Sequence, residues 1–298
     1  MKLISRRVEG REEIGVLMGD VVVSLEQLNH HCQKNFESSM QSLLESSRLE
    51  ELRQTVLTME DETKQACLRD GIPLHDCELA PLYRRPRKIW GIGLNYVEHA
   101  GDLKAVLPTE EPASFMKADT TLIGPSDVIE LPWQSERVTA EAEIGVVIGK
   151  ECRDVRVEEA ASYVAGFVAV IDMTAEDILQ KNPRFLTRAK NFDTFFSLGG
   201  ELQTVDEIPD LASIKVGTYN NGHLHRENIV ANMTFNPWYL VSFHSQVMTL
   251  LPGDIISTGT PGAVVIHDGD MAECRIDGFL PLINPVRQRW AGPKEDAR

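Results

Sequence analysis

The chain has 298 residues and a formal net charge of −15 at pH 7, and 42% of its residues are hydrophobic. This hydrophobic fraction is enough to form a buried core, so a disordered protein is excluded, and the length fits one large or two modest domains. The negative charge repels phosphate backbones and anionic membrane surfaces, which excludes nucleic acid and lipid bilayers as expected partners.

The cysteine pattern and the absence of long apolar runs indicate the compartment. No stretch approaches the roughly 18 apolar residues of a membrane span, and residues 1–7 lack the apolar segment of a secretory signal. The five cysteines are scattered and never form a Cys-x-x-Cys pair, which gives no sign of a disulfide framework or a zinc site. The sequence therefore predicts a soluble, cytoplasmic protein with reduced thiols.

The first part of the chain predicts a small α/β domain. Two apolar runs within residues 14–23 flank a Gly-Asp turn and predict a hairpin. Residues 34–69 carry apolar positions at helical spacing with no Pro or Gly, which predicts helix throughout. A proline-punctuated connector at residues 73–86 marks a boundary near residue 85. The predicted domains are therefore residues 1–85 and 86–298.

The start of the second domain carries a candidate base. Gly91 and Gly93 form a Gly-x-Gly, but the third glycine of a dinucleotide-binding loop is missing, so that interpretation is set aside. His99 and Asp102 are three residues apart, a spacing that puts both on one face of a helical turn. An imidazole oriented by a carboxylate is a plausible general base, and a surface histidine beside an acid is the simpler alternative. Downstream, residues 113–117 predict a strand that ends in a cation.

An acidic pair lies at the start of the most apolar run. Glu141 and Glu143 lead into Ile144-Gly145-Val146-Val147-Ile148, and side chains two apart on a strand point to one face. Asp172 follows the next apolar run, residues 164–171, and is expected to close that strand. Three such carboxylates predict a site for a hard cation that takes oxygen ligands. The alternative is that they are solvent-facing acids of an edge strand.

The remaining signals are weaker. The basic residues between Lys181 and Lys190 are candidates for neutralising a substrate carboxylate, or else ordinary surface charges. Asn220-Asn221-Gly222 predicts a hairpin turn, and the small residues of Thr258-Gly259-Thr260-Pro261-Gly262 suit close approach of the backbone to a ligand.

Together these motifs resemble the fumarylacetoacetate hydrolase superfamily over roughly residues 81–286. In chain order they are Gly91-Ile92-Gly93-Leu94-Asn95-Tyr96 with His99, Phe115-Met116-Lys117, Glu141-Ala142-Glu143, Asp172, Arg188-Ala189-Lys190-Asn191-Phe192-Asp193, and Pro252-Gly253-Asp254 to Thr258-Gly259-Thr260-Pro261. The first 80 residues look like the variable amino-terminal domain of the bacterial members. The resemblance implies an α+β fold, with a strand-rich mixed β-sandwich or roll and usually a homodimer.

The resemblance also implies roles for individual residues. Glu141, Glu143 and Asp172 fall on the ligands of a Mg²⁺ or Mn²⁺ ion. His99 with Asp102 falls on the base dyad, and Lys190 and Thr260 fall on substrate contacts, with Lys190 also counted as catalytic.

The chain departs from the family pattern at several positions. Asp102 stands where many relatives carry Glu, Leu94 replaces a frequent Arg, Ile171 a frequent Asn, Glu176 a frequent Arg, and Gly200-Glu201 a common Pro-Trp. The loss of two cationic positions weakens the expectation of a doubly anionic substrate.

Three functions are compatible with these residues. The first is a metal-dependent hydrolase that cleaves a carbon–carbon bond in a β-diketo or 2-oxo acid, such as an acylpyruvate or a fumarylacetoacetate-like compound, through a metal-stabilised enolate. The second is a lyase or isomerase on a 2-oxo acid, namely a hydratase, an oxaloacetate decarboxylase or a tautomerase, with the same metal site. The third is a binding protein without catalysis on the same fold.

Overall fold

The computed structural model describes residues 1–97 and 108–289. Within these ranges no helix is long and apolar enough to cross a membrane. The strands β1 to β18 are, in order, Lys2–Val8, Arg11–Met18, Val21–Ser24, Ile72–Pro73, Ile89–Gly93, Ala113–Lys117, Leu122–Ile123, Ile129–Leu131, Val138–Ile148, Val164–Ala175, Phe196–Leu198, Glu201–Thr204, Lys215–Asn220, His223–Ile229, Ile255–Ser257, Ala263–Ile266, Met271–Ile276 and Leu282–Gln288. The α-helices are Leu25–Cys32, Met40–Glu45, Leu49–Leu57, Asp61–Asp70, Glu176–Lys181, Leu186–Lys190 and Pro237–Val247.

The strands form two mixed sheets. In the described residues the larger sheet has 13 strands, with the order β4-β3-β2-β1-β12-β10-β9-β15-β5-β6 and with β7, β11 and β16 joined at its side. The smaller sheet has five strands in the order β14-β13-β17-β18-β8. Val216 and Cys274 of the smaller sheet share one buried core with Ile144 and Phe167 of the larger sheet. This strand-rich arrangement with separate helices confirms the predicted α+β class.

Strands β9 and β10 lie at the centre of this architecture. Every residue of both strands is buried, and the two strands pair antiparallel along almost their whole length. β9 also pairs with β15 and β16, so it is not an edge strand, and the alternative of solvent-facing acids is wrong. Asp172 does not close its strand, because residues 173–175 continue the pairing with residues 138–140.

Both predicted hairpins are present. Strands β2 and β3 pair around Gly19-Asp20, and strands β13 and β14 pair around Asn221-Gly222. Asn221 and Gly222 have φ angles of 53° and 77°, the left-handed conformation that a tight two-residue hairpin turn requires. The residue types at the turns therefore predicted both hairpins correctly.

The prediction of continuous helix over residues 34–69 is wrong. The segment holds three helices, separated near Ser47 and near Thr58. The Ser46 and Thr58 hydroxyls donate to the carbonyls of Leu43 and Gln54, and Ser47 has a φ of 58°. Ser and Thr side chains compete in this way with helical hydrogen bonding, so they end helices without any Pro or Gly.

The amino-terminal strands extend the larger sheet. Strand β1 pairs antiparallel with β12, and the Ser5 amide donates to the Gly200 carbonyl at 2.7 Å. Leu3 and Val16 also lie in one buried cluster with Val168 and Leu202 of the second predicted domain. The boundary near residue 85 stays a prediction, and strand pairing joins the two sides of it.

Candidate metal centre

The pairing of β9 with β10 brings the three predicted acids together. Glu141 lies directly opposite Asp172, and Glu143 lies two residues further along β9, on the same face. The three residues are 8%, 1% and 1% exposed, and one carboxylate oxygen from each lies within 4.8 Å of the others. Three convergent buried carboxylates are the oxygen-rich set that a hard divalent cation takes.

Hydroxyls and a backbone amide orient the two glutamates. The Thr174 hydroxyl donates to Glu141 Oε1 at 2.8 Å, while the Ser257 hydroxyl and the Gly259 amide, the latter at 2.8 Å, donate to Glu143 Oε2. Gly259 has a φ of 94°, and a Cβ there would lie 3.0 Å from the Ile92 carbonyl, so a glycine is needed for this approach. The carboxylates are therefore held in place before any ion binds.

Two buried lysines, Lys117 and Lys190, also contact the acids. Lys117 Nζ lies 2.6 Å from Asp172 Oδ1, and Lys190 Nζ lies 2.6 Å from Asp172 Oδ2 and 3.0 Å from Glu141 Oε2. Lys190 Nζ also lies 4.7 Å from the centre of the Phe115 ring. Gly91 is paired with Phe115 across β5 and β6, and a Cβ on Gly91 would lie 2.2 Å from this ring. The first glycine of the Gly-x-Gly motif thus makes room for Phe115.

Burial and neighbouring charges shift the pKa values of the acids and lysines of the cluster to different extents. Burial, together with the charges of Asp172 and Glu141, raises the pKa of Glu143 to about 8. Burial also lowers the pKa of Lys117 to about 8, against the attraction of Asp172. For Lys190 the penalty of burial is outweighed by Asp172 and Glu141, so its pKa is raised. Glu143 is therefore the acid whose charge is least compensated by lysines.

The residues present fit a divalent cation. Three carboxylates face two lysines in this cluster, and like charges at short range in a buried site resist simultaneous ionisation. With all groups ionised, the three carboxylates and two lysines leave one negative charge uncompensated. A divalent ion on Glu141, Glu143 and Asp172 would neutralise this charge and relieve the repulsion. The donor set contains only oxygen, which favours Mg²⁺ or Mn²⁺ over metals that prefer thiolate or imidazole.

A cavity of about 470 Å³ opens onto the acid cluster. Glu141, Thr174 and Lys190 contribute to its wall, so a ligand in the cavity would contact Glu141 of the acid cluster and Lys190. The helix Glu176–Lys181 and the strands β5 and β6 supply other parts of the wall. The carboxylate cluster thus meets, through Glu141, a pocket large enough for a small organic acid.

The other predicted site residues have different positions. Lys190 is 6% exposed, lies among the acids and lines the cavity, while its substrate contact and catalytic role stay predictions. The Thr260 hydroxyl bonds with the Gly262 backbone within its own turn, and Thr260 does not line the cavity, so its substrate contact stays a prediction. His99 and Asp102 lie outside the described residues, and their roles also stay predictions.

Several residues that complete the cluster had no predicted role. Lys117 is fully buried against Asp172, and Thr174, Ser257 and Gly259 orient the glutamates. A lysine at the end of a predicted strand and a run of small residues were the available signals. Neither signal identifies its partner, because each contact joins residues far apart in the chain.

Comparison with known proteins identifies relatives of this chain. A family profile described as fumarylacetoacetate (FAA) hydrolase C-terminal matches residues 88–287. An uncharacterized protein of Archaeoglobus fulgidus is 44% identical over 200 residues, which cover 67% of this chain and 78% of that protein. The mitochondrial oxaloacetate tautomerase Fahd2a of Rattus norvegicus is 36% identical over 216 residues, which cover 70% of this chain and 68% of the tautomerase.

A solved structure matches nearly the whole chain. Maleylpyruvate hydrolase from Sphingobium sp. SYK-6, in complex with manganese(II) and pyruvate, aligns with a TM-score of 0.78 at 28% identity. The alignment covers 97% of this chain and 99% of the hydrolase, so it includes the amino-terminal strands and helices as well as the two central strands.

Proposed function

Because this chain belongs to the fumarylacetoacetate hydrolase superfamily, we propose that it is a Mg²⁺- or Mn²⁺-dependent hydrolase that cleaves a carbon–carbon bond in an acylpyruvate-like β-diketo acid. The observation that carries the proposal is the buried cluster of Glu141, Glu143 and Asp172, which reaches the wall of a cavity of about 470 Å³ through Glu141. The structurally similar maleylpyruvate hydrolase, solved with manganese(II) and pyruvate, supports the choice of a 2-oxo acid and a divalent ion.

The ion would be held by Glu141, Glu143 and Asp172, and when bound it would polarise the carbonyl of a 2-oxo acid as a Lewis acid. Lys190 presents a permanent positive charge beside it, since Asp172 and Glu141 outweigh the penalty of burial and raise the pKa of Lys190. A substrate carboxylate in the cavity would therefore find a cationic donor at Lys190 Nζ. Phe115, stacked on this ammonium group, fixes its position.

The remaining step is the attack of water. In the proposed reaction His99, oriented by Asp102, removes a proton from water, and the hydroxide adds to the distal carbonyl carbon of the acylpyruvate. The bond from this carbon to the central methylene then breaks, and the methylene carbon keeps the electron pair and takes a proton. The products are a carboxylic acid and pyruvate, so one water is consumed and the atoms balance.

A second function, tautomerisation or decarboxylation of oxaloacetate, is favoured by the 36% identity to an oxaloacetate tautomerase. Both reactions need the same carbonyl polarisation and no attack by water. The acid cluster serves them equally well, so the two candidates differ in the water-activating base and in the shape and charge of the cavity.

Product analysis tests the proposal. We expect the protein with Mg²⁺ or Mn²⁺ to convert acylpyruvates into pyruvate and the matching carboxylic acid, identified by mass spectrometry. Oxaloacetate and unsaturated 2-oxo acids are assayed in parallel for tautomerisation, decarboxylation and hydration. If acylpyruvates are not cleaved while oxaloacetate is converted, the hydrolase proposal is wrong and the second function replaces it.

We also propose that the protein is a homodimer, on the strength of the family. The chain mass is 33.3 kDa, so light scattering at micromolar concentrations should give about twice this value. A monomer mass across that range would contradict the proposal.

A further inference from the structure

The cavity beside the acid cluster has a mostly apolar wall. Leu94, Leu179 and Leu186 are half-buried leucines that line the cavity, the first after strand β5 and the other two on the helices Glu176–Lys181 and Leu186–Lys190. Phe115 and Ala263 add further carbon surface. Apolar side chains that converge on a cavity favour a ligand that removes them from water.

Leu94 is held in an unusual backbone conformation. Its φ of 57° lies in the left-handed region, which a leucine rarely adopts. The adjacent Asn95 is fixed by the surrounding fold, because its side chain donates to the carbonyls of Phe235 and Thr258 and accepts from the Phe235 amide. Strain of this kind persists where the surrounding structure determines the conformation, and here it places a large apolar residue in the cavity wall.

The charged groups in the wall do not suit a second carboxylate. Among the residues of 1–97 and 108–289 that line the cavity, Lys190 is the one cation, and its ammonium group already contacts Asp172 and Glu141. Glu176, which also lines the cavity, is a carboxylate with a side chain 13% exposed. Its oxygens accept from Arg137 at 2.7 Å and from Gln180 at 2.9 Å, so its position is fixed.

From these observations we infer that the substrate is a singly charged 2-oxo acid whose distal group is apolar, an alkyl or aryl acyl chain rather than a second carboxylate. The inference rests on the proposed function, since it assumes that the oxo-acid end of the substrate contacts the divalent ion proposed to bind the acid cluster. The apolar wall takes the acyl chain out of water, while Glu176 holds the nearby guanidinium of Arg137 in an ion pair. The described part of the wall therefore offers a distal anion no free cation. Each methylene buried in such a pocket should tighten binding by about 4-fold, so affinity should rise with the length of the acyl chain.

Three stable 2-oxo acids separate the possibilities by binding alone. Pyruvate is the shared head group, 2-oxohexanoate adds an apolar chain, and 2-oxoglutarate has nearly the same length with a terminal carboxylate. The Mn²⁺-loaded protein is titrated with each by calorimetry. We expect 2-oxohexanoate, which has three more methylenes, to bind about 10- to 50-fold more tightly than pyruvate, and at least about 10-fold more tightly than 2-oxoglutarate.

Two variants assign the preference to named residues. Glu176→Gln keeps an oxygen that accepts from Arg137 and removes the charge, so it should reduce the discrimination against 2-oxoglutarate several-fold and leave the affinity for 2-oxohexanoate unchanged. Leu186→Ala should weaken 2-oxohexanoate and leave pyruvate unchanged. Glu136→Gln is the matched control, because it removes the same charge at an exposed position that does not line the cavity.

The failure of this inference and of the proposed function give different results. If pyruvate binds and 2-oxoglutarate binds as tightly as 2-oxohexanoate or more tightly, the apolar substrate class is wrong and the metal-dependent function stands. If none of the three acids binds to the Mn²⁺-loaded protein, the proposed function fails and the inference fails with it. If Glu176→Gln leaves the ratio of the affinities for 2-oxohexanoate and 2-oxoglutarate unchanged, the proposed contribution of Glu176 to the discrimination is wrong.

Discussion

Replacing Glu143 with glutamine is expected to weaken the binding of Mn²⁺ and Mg²⁺ by at least about 100-fold, because residues that only support metal ligands already cost 10–100-fold when changed. Glu143 is 1% exposed and lies within ligand distance of Glu141 and Asp172. Titration calorimetry on the metal-free protein measures the affinity. Glu273→Gln is the control, since Glu273 is a buried glutamate of strand β17 outside the cluster.

The same variant has a stability readout that separates a lost ligand from a lost fold. The pKa of Glu143 is raised from its ordinary value of 4.5 to about 8, chiefly by burial. Between these two values the unfolded chain releases the proton that the folded state retains, so the acid lowers the stability of the metal-free protein as pH rises. Metal-free Glu143→Gln should therefore unfold at the same or higher urea concentration. An unchanged metal affinity in this folded variant would refute the site and favour the non-catalytic binding protein.

Replacing His99 with alanine is expected to reduce acylpyruvate hydrolysis by about 10²- to 10⁴-fold, the usual contribution of a general base. The reason is that hydrolysis needs an activated water, whereas decarboxylation of oxaloacetate needs mainly carbonyl polarisation. The variant should therefore keep its metal affinity and most of any oxaloacetate decarboxylation. Steady-state kinetics with both substrates, combined with metal titration, measure the two effects separately.

A matched control is available for this variant. His267 is an exposed histidine in a turn, with a side chain 76% exposed, and His267→Ala should leave all rates unchanged. Asp102→Asn should also slow hydrolysis, since it removes the carboxylate proposed to orient His99. Wild-type hydrolysis by His99→Ala would show that another group activates water, and the hydrolase proposal would lose its base.

The local sequence pattern was enough to predict those strands and hairpins whose signals lie within a single segment. Strand periodicity placed Glu141 and Glu143 on one face, and turn residues located the hairpins at Gly19-Asp20 and Asn221-Gly222. The helix prediction over residues 34–69 failed for the opposite reason. Apolar spacing marks the buried face of a helix but does not mark its ends, which here depend on Ser and Thr side chains that bond to the backbone.

The family resemblance identified Asp172 as the third ligand, and only the tertiary structure placed it. The side-chain period of a strand fixes which residues share a face, but not which residue of a distant strand lies opposite. The register of β9 with β10 decides that Asp172 faces Glu141, and buried apolar side chains along both strands hold this register.

The sequence by itself therefore determined the family, because its motifs stand in a recognisable order along the chain. The resemblance to that family implied the fold class and Asp172, while strand spacing placed Glu141 and Glu143 on one face. The tertiary structure decided the charge balance and the pocket. Lys117 and Lys190 reach Asp172 from positions 55 and 18 residues away, and the leucines of the cavity come from separate segments. The free energy of a buried charge depends on the distance to its partners and on exclusion of water, and both are set by packing between segments remote in sequence.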